Sequence, residues 1–357
     1  MGKMIGGGVE SVVMNYYRHI DRSRVQFDLL VDEDSTLVPR EEVESLGGRI
    51  IKVPPYQNLS RYMRALECLF NKERWSIVHS HINGLSCFSL YAAKRTGVPI
   101  RIAHSHSTSG RGEYAKNLLK AILRTQANRY PTHRLACSIY AGEWLFGKNA
   151  EFEVLRNAIE LGEFAFDSEV RSKVRTELDI AKDQLVIGHV GRFTAQKNHR
   201  FLIDIFREVC RLRPDAVLLL VGSGELRHFV ESLLIQYDLL NNVRFLGQRN
   251  DVNLLYQAFD AFVLPSLYEG LGLVGIEAQA TGLSCFFSDL ITREVDVTGE
   301  ARFLPIDDVN TWSYVLAQVA VGQRYKVDIE SFVDYDINRA AEKLANYYEN
   351  LYAGVIT

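Results

Sequence analysis

The reading starts from Ala261-Phe262-Val263-Leu264-Pro265-Ser266-Leu267-Tyr268-Glu269-Gly270-Leu271-Gly272-Leu273-Val274-Gly275-Ile276-Glu277-Ala278. A short apolar run gives way to a glycine-bearing turn and then to a helix-length segment, Leu273–Thr281. A parallel strand covered on both faces has this form, because it needs no polar side. The same unit recurs on either side. Towards the C-terminus comes the run Ser284–Ser288. Towards the N-terminus come Val243–Leu246, Ala216–Val221 and Leu185–Val190. Arg200–Arg213, Glu225–Tyr237 and Val252–Ala258 read as the helices between them. The first half repeats the alternation with runs at Phe27–Val31, Arg49–Val53, Ile77–Ser80, Ile100–Ala103 and Arg134–Ser138, and helices at Val9–His19 and Leu59–Phe70. Strands alternating with helices predict parallel sheets in two doubly wound α/β domains, 1–160 and 171–330. The junction is expected near Asn157–Arg171. A tail, 331–357, carries an amphipathic helix over Ile337–Tyr352.

Composition narrows the function. With 357 residues, 47% hydrophobic and 24% charged, the chain is neither disordered nor fibrous. A net charge of −3 gives no whole-chain footprint for nucleic acid, and no nucleic-acid partner is expected. Cys68, Cys87, Cys137, Cys210 and Cys285 are far apart, odd in number and never in a C-x-x-C pair. Neither a disulfide framework nor a zinc site follows, and a reducing cytoplasm is the expected setting. No apolar run approaches the roughly 18 residues of a membrane-spanning helix. Residues 94–134 stand out: Lys94, Arg95, Arg101, Arg111, Lys116, Lys120, Arg124, Arg129 and Arg134 face only Glu113. Mixed with Leu118, Leu119, Ile122 and Leu123, this block suits an anionic membrane surface or a phosphorylated acceptor.

Doubly wound sheets bind ligands beyond the carboxyl ends of their strands. After Leu185–Val190 come Gly191 and Arg192, then Lys197-Asn198-His199. Two cations at a strand mouth suit a diphosphate whose charge grows as it leaves. After Ala261–Leu264, Gly270 and Gly272 let backbone approach a ligand, and the helix that follows offers unpaired N–H groups to phosphate oxygens. Glu269 and Glu277 provide carboxylates for sugar and ribose hydroxyls.

These motifs resemble the retaining nucleotide-sugar glycosyltransferases of family four, which have the two-domain GT-B fold. The resemblance is closest to bacterial exopolysaccharide and capsule transferases. It rests on Gly191-Arg192…Lys197-Asn198-His199, Val221-Gly222-Ser223-Gly224, Phe245-Leu246-Gly247 and Glu269…Glu277. The first half adds Gly6-Gly7-Gly8-Val9-Glu10, Val78-His79-Ser80-His81, Ile102-Ala103-His104-Ser105-His106-Ser107 and Leu155-Arg156-Asn157-Ala158-Ile159. The resemblance implies two Rossmann-like domains facing a cleft, with the last helix crossing back onto the first. It implies that Arg192 and Lys197 bind the donor diphosphate, Glu269 the donor sugar and Glu277 the ribose. Gly270, Leu271, Gly272 and Leu273 would hold phosphate oxygens, with Gly247 near the base. Gly7 and Gly8 would meet the diphosphate or acceptor from the other domain. A histidine after the fourth strand would touch the reacting sugar. His104 and His106 point the same way on an extended strand, and His106, nearer the loop, is favoured.

The function so implied is transfer of a hexose or N-acetylhexosamine from a nucleoside-diphosphate sugar, UDP foremost, to a lipid-linked glycan. The cations and helix amides would stand where other transferases use a metal, so no metal or cofactor is expected. The enzyme would work in the cytoplasm, on the inner face of the cell membrane. A non-catalytic nucleotide-sugar-binding subunit and a GT-B epimerase are the alternatives. Asp32-Glu33-Asp34 has the form of a D-x-D metal site but reads as a solvated acidic turn. Only Met1–Ile5 precede the glycine-rich loop, where a doubly wound domain has its central first strand. That strand is expected to be missing, leaving unpaired ladder groups and a poorly stable chain.

Overall fold

A computed structural model describes residues 1–106 and 123–356. The chain forms two compact units, Met1–Ile159 with Asp334–Thr357, and Glu160–Val333. In the first unit the elements are α1 (Gly8–His19), β1 (Asp28–Asp32), α2 (Arg40–Ser45), β2 (Arg49–Val53), α3 (Leu59–Glu73) and β3 (Ile77–Ser80). They continue with α4 (Ser86–Arg95), β4 (Ile100–Ser105), β5 (His133–Ala136), α5 (Ile139–Phe146) and β6 (Glu153–Val154). The second unit holds α6 (Ser168–Glu177), β7 (Val186–Val190), α7 (His199–Leu212), β8 (Val217–Val221), α8 (Arg227–Gln236), β9 (Val243–Gly247) and α9 (Val252–Ala258). After these come β10 (Ala261–Leu264), α10 (Leu273–Ala280), β11 (Ser284–Ser288), β12 (Arg302–Leu304) and α11 (Val309–Ala317). The last helix, α12 (Ile337–Ile356), belongs to the first unit.

The second unit is a six-stranded parallel sheet in the order β9-β8-β7-β10-β11-β12. Counted within the domain this is 3-2-1-4-5-6, the doubly wound order, and its direction reverses between β7 and β10. Every residue of β7, β8 and β10 is buried, which is why these strands are apolar apart from His189 of β7. Helix α7 places Leu202, Ile203, Phe206 and Val209 in this core, and Trp312 of α11 joins them.

Asp260, fully buried, fastens the reversal point at its base. Its backbone N–H donates to the Val186 carbonyl, and its Oδ2 accepts the Val186 N–H at 2.8 Å. Oδ1 accepts Arg171 Nη2 at 2.6 Å and the Gly322 N–H at 2.8 Å, while Arg175 Nη2 lies 3.5 Å from Oδ2. Arg171 and Arg324 also donate to the carbonyls of Gln257 and Phe259 at the end of α9. Cations there satisfy orphan carbonyls and oppose the helix dipole.

In the first unit the strands form a pair, β1-β2, and a parallel four-stranded sheet, β3-β4-β5-β6. Met1 and Gly2 reach β1 without forming a strand. The Met1 ammonium donates to the Leu30 carbonyl at 2.9 Å, and Gly2 makes one parallel bridge to Val31. Beside them lies a cavity of 380 Å³ lined by β1, β3, Tyr62, Leu66 and Phe70 of α3, and Tyr348 of α12. Helix α12 buries Ala341, Leu344, Ala345 and Tyr348 and packs on α1. Ile159 and Asp336 pair at its root. The strands β6 and β12 were not expected from the sequence; at two and three residues they are too short to show a period.

Replacing Asp260 with Ala leaves Arg171 and Arg175 buried without their carboxylate. Loss of one partner from a buried pair costs about 3–5 kcal/mol. Denaturant titration of Asp260→Ala is expected to show a loss of that size in the second unit's transition. A loss under about 1 kcal/mol, the scale of an exposed pair, would contradict this account.

Candidate functional site

The carboxyl ends of β7 and β10 bring two loops together at the reversal point. In the first, Gly191–Asn198, a short 3-10 turn over Ala195–Lys197 ends at Asn198, which adopts φ +54°. The second runs from Pro265 to Gly272. The Leu267 N–H donates to the Gln196 carbonyl, and Gln196 Nε2 donates to the Tyr268 carbonyl at 3.0 Å and to Glu269 Oε2 at 3.2 Å. Lys197 Nζ donates to Glu269 Oε1 at 2.7 Å. The two side chains of this ion pair are only 14% and 9% exposed. Arg192 is exposed, and its guanidinium makes no ion pair among the described residues. A paired lysine and an available arginine therefore sit at one strand mouth, as a charge-assisted phosphate site requires.

Helix α10 opens from Gly272, whose φ of +82° is a left-handed backbone that glycine adopts without strain. No side chain caps its first turn, and the Gly275 N–H donates to the Gly272 carbonyl at 2.8 Å, so the amides of Leu273 and Val274 are the ones open to an anion. Glu277 lies one turn further on and is half-buried. Tyr256 Oη shares its proton between Glu277 Oε2, at 2.8 Å, and the Val274 carbonyl, at 3.0 Å. Burial raises the Glu277 carboxyl to about 7, against the pull of the Tyr256 hydrogen bond and the Lys197 charge.

Val221-Gly222-Ser223-Gly224 lies against the back of the first loop. A Cβ on Gly222 would fall 2.2 Å from the Gly191 carbonyl oxygen. The Gly191 N–H donates to the Val221 carbonyl, Phe193 N–H to Ser223 and Leu226 N–H to Phe193. This motif buttresses Arg192. The Gly222 N–H donates in turn to the Gly247 carbonyl, at the end of β9. Arg192, Lys197, Gly247, Glu269, Gly270, Leu271, Gly272, Leu273 and Glu277 thus all lie at or beyond the carboxyl edge of one sheet. Tyr256 and Gln196, which hold the two glutamates, had no signal in the sequence.

The remaining candidates lie in the first unit. Gly7 caps α1 and Gly8 begins it, while Glu10 folds back to accept the N–H groups of Ile5 and Gly6. His104 and His106 sit on and just beyond β4, beside His79 and His81 of the β3 end, in a two-by-two stack. Ring centroids are 4.1 Å apart for His79–His81, 4.0 Å for His104–His106, and 5.1 and 5.2 Å across the strands. Burial lowers all four, His79 to about 3 and His106 to about 4. The four are therefore neutral imidazoles at neutral pH. Asn157 favours protonation of His106, although His106 Nδ1 and Asn157 Oδ1 are without a hydrogen-bond partner as placed.

The acidic turn is taken up locally: Asp34 pairs with Lys3, Glu33 with Arg61, and Asp32 is buried beside the Met1 ammonium. Of the basic block, Arg111, Lys116, Lys120 and their apolar neighbours through Ile122 lie outside the described residues. Arg95 pairs with Glu67, Arg101 donates to the Tyr130 and Val98 carbonyls, and Arg134 donates to Asn128. No helix among the described residues is long and apolar enough to cross a membrane.

Fold and site define a two-unit α/β transferase, and comparison with known proteins agrees. Residues 7–157 match the model of the "Glycosyl transferase 4-like domain", and residues 170–302 that of "Glycosyl transferases group 1". EpsF of Bacillus subtilis (strain 168), which carries the provisional name of a glycosyltransferase, is 36% identical over 96% of this chain and 93% of its own. The UDP-Gal:alpha-D-GlcNAc-diphosphoundecaprenol alpha-1,3-galactosyltransferase of Escherichia coli is 28% identical over 87% of this chain and 84% of its own. Among solved structures, Anabaena Alr3699/HepE in complex with UDP and glucose superposes with a TM-score of 0.76 at 17% identity, over 98% of each chain. The chain belongs to the GT-B glycosyltransferases of the family-four-like type.

Glu277 sets a pH dependence whose sign follows from its raised value. The folded chain keeps this proton up to about pH 7, whereas the unfolded chain releases it near the ordinary value of 4.5. Stability therefore falls as pH rises through that window. Glu277→Gln is expected to remove this slope, so that the variant outlasts the parent at pH 8 and the difference closes by pH 4. Melting temperatures across that range test it; parallel profiles would show that the carboxyl titrates normally.

Proposed function

We propose that this chain is a retaining glycosyltransferase that moves a hexose or N-acetylhexosamine from a UDP-sugar to a lipid-linked glycan in exopolysaccharide or capsule synthesis. The observation that carries the reading is the junction of β7 and β10. There Arg192, the Lys197–Glu269 pair and the uncapped start of α10 converge on one strand mouth. The donor diphosphate takes Arg192, Lys197 and the amides of Leu271–Leu273, and Gly270 and Gly272 keep side chains out of its path. Glu269 accepts hydrogen bonds from the sugar and Glu277 from the ribose, and Gly247 lies by the base. UDP in a solved GT-B neighbour and the diphosphoundecaprenol substrate in the E. coli relative's name support this choice of donor and acceptor.

The reaction is a same-face substitution. The bond from the anomeric carbon to the diphosphate oxygen breaks, and the sugar becomes oxocarbenium-like. The acceptor hydroxyl then attacks from the face the diphosphate has left and gives up its proton to the departing phosphate. Preorganised cations and amides stabilise the growing charge, so the donor site uses no metal. His106, with His104 behind it, contacts the reacting sugar as a neutral hydrogen-bonding group, and Gly7 and Gly8 present backbone to the diphosphate or the acceptor. The basic stretch 94–134 holds the enzyme at the inner membrane face.

A panel of UDP-, GDP-, ADP- and TDP-sugars, titrated calorimetrically with EDTA present, tests the reading. One UDP-sugar is expected to bind and to be hydrolysed slowly. Arg192→Ala and Lys197→Ala are each expected to weaken binding by about 10–100-fold, the worth of a hydrogen bond to a charged group. Absence of binding by every sugar of the panel would refute the proposal.

A further inference from the structure

His79, His81 and His104 each place one ring nitrogen within 4.8 Å of the other two. The closest pair, His79 Nε2 and His104 Nδ1, is 3.1 Å apart. Two nitrogens on one tetrahedral ion at about 2.0–2.1 Å stand roughly 3.3–3.4 Å from each other. The pair already has nearly the spacing of two ligands. The opposite nitrogens are held from behind: His79 Nδ1 lies 2.6 Å from Tyr348 Oη, and His81 Nδ1 lies 2.9 Å from His106 Nε2. Metal-ligating histidines are oriented in this way, with the outer N–H donated to a fixed acceptor. Those contacts leave His79 Nε2 and His81 Nε2 as the nitrogens to ligate beside His104 Nδ1, while His104 Nε2 has no hydrogen-bond partner.

The 380 Å³ cavity of the first unit supplies the route in. His79, His81 and Tyr348 line it, and Asp32 on its wall adds negative charge. The geometry points to a site for one divalent transition-metal ion, ligated by His79, His81 and His104 and backed by Tyr348 and His106. A set made only of imidazoles selects zinc, copper, nickel or cobalt over magnesium, calcium or manganese. The site takes in His104 and His106, which the proposed function sets against the reacting sugar, but none of Arg192, Lys197, Glu269 or Glu277, so metal binding is read separately from binding of the UDP-sugar.

The test is titration of the EDTA-stripped and desalted full chain with Co²⁺, followed by its visible d–d bands, with Zn²⁺ competition. One equivalent is expected to bind with at least micromolar affinity and to be displaced by Zn²⁺. His79→Asn and His104→Asn should abolish the bands. Tyr348→Phe, which removes the outer partner of His79, should weaken binding by about 10–100-fold. His228→Asn, at a side chain 95% exposed, should change nothing. Far-UV circular dichroism checks folding, and His81→Gln at a half-buried position replaces His104→Asn should that variant unfold. No saturable binding, or binding that survives His79→Asn and His81→Gln in folded protein, would overturn the site.

Discussion

The grip of Asp260 on β7 is the constraint from which the geometry of the candidate site follows. Asp260 pairs with Val186 through both backbone and side chain and so locks β10 beside β7 at the foot of the sheet. Parallel strands locked at one end in a fixed register deliver their other ends in a fixed relation. The Lys197–Glu269 pair closes the far end of the same two strands. A ligand entering there meets two loops whose separation the sheet has already set. Orientation of this kind would let the proposed site lower a reaction barrier without strain in its side chains. The arginines around Asp260 serve this arrangement as well, because they fix the end of α9, and Tyr256 of α9 holds Glu277.

Much of this was legible in the sequence because parallel strands covered by helices are predominantly apolar. Arg49–Val53, Ile77–Ser80, Ala261–Leu264 and Ser284–Ser288 begin and end where their apolar runs do. Residues just beyond such strands are natural site candidates by topology alone, which is how Arg192, Lys197, Glu269 and Glu277 came to notice. What could not be read depends on which strands are neighbours. Nothing local couples Tyr256 to Glu277, 21 residues away, or Gln196 to Glu269, 73 residues away. The paired His-Ser-His stretches were visible as alternation, but their stacking required the register in which His79 lies opposite Ile102. Likewise, Tyr348 reaches His79 across 269 residues, and only the return of the last helix to the first unit reveals it.

The two units handle buried polarity in different ways. In the second, Glu277 is kept close to a cation and a phenol yet remains costly to ionise. Hydroxyl donors from a ligand would relieve that penalty, so part of the binding free energy would come from a carboxylate poorly solvated without them. In the first, burial of four imidazoles is tolerable because each can be neutral and because nitrogen pairs with nitrogen. A neutral imidazole has one donor and one acceptor, so a hydrogen bond between two rings satisfies one group on each. The pairings with Tyr348, between His79 and His104 and between His81 and His106 each run through an Nδ1, and His104 Nε2 and His106 Nδ1 are left unsatisfied. Such a stack is stable while its rings stay uncharged. It also concentrates lone pairs and N–H groups on one face of β3 and β4, the physical requirement for hydrogen bonding a sugar and for ligating an ion alike.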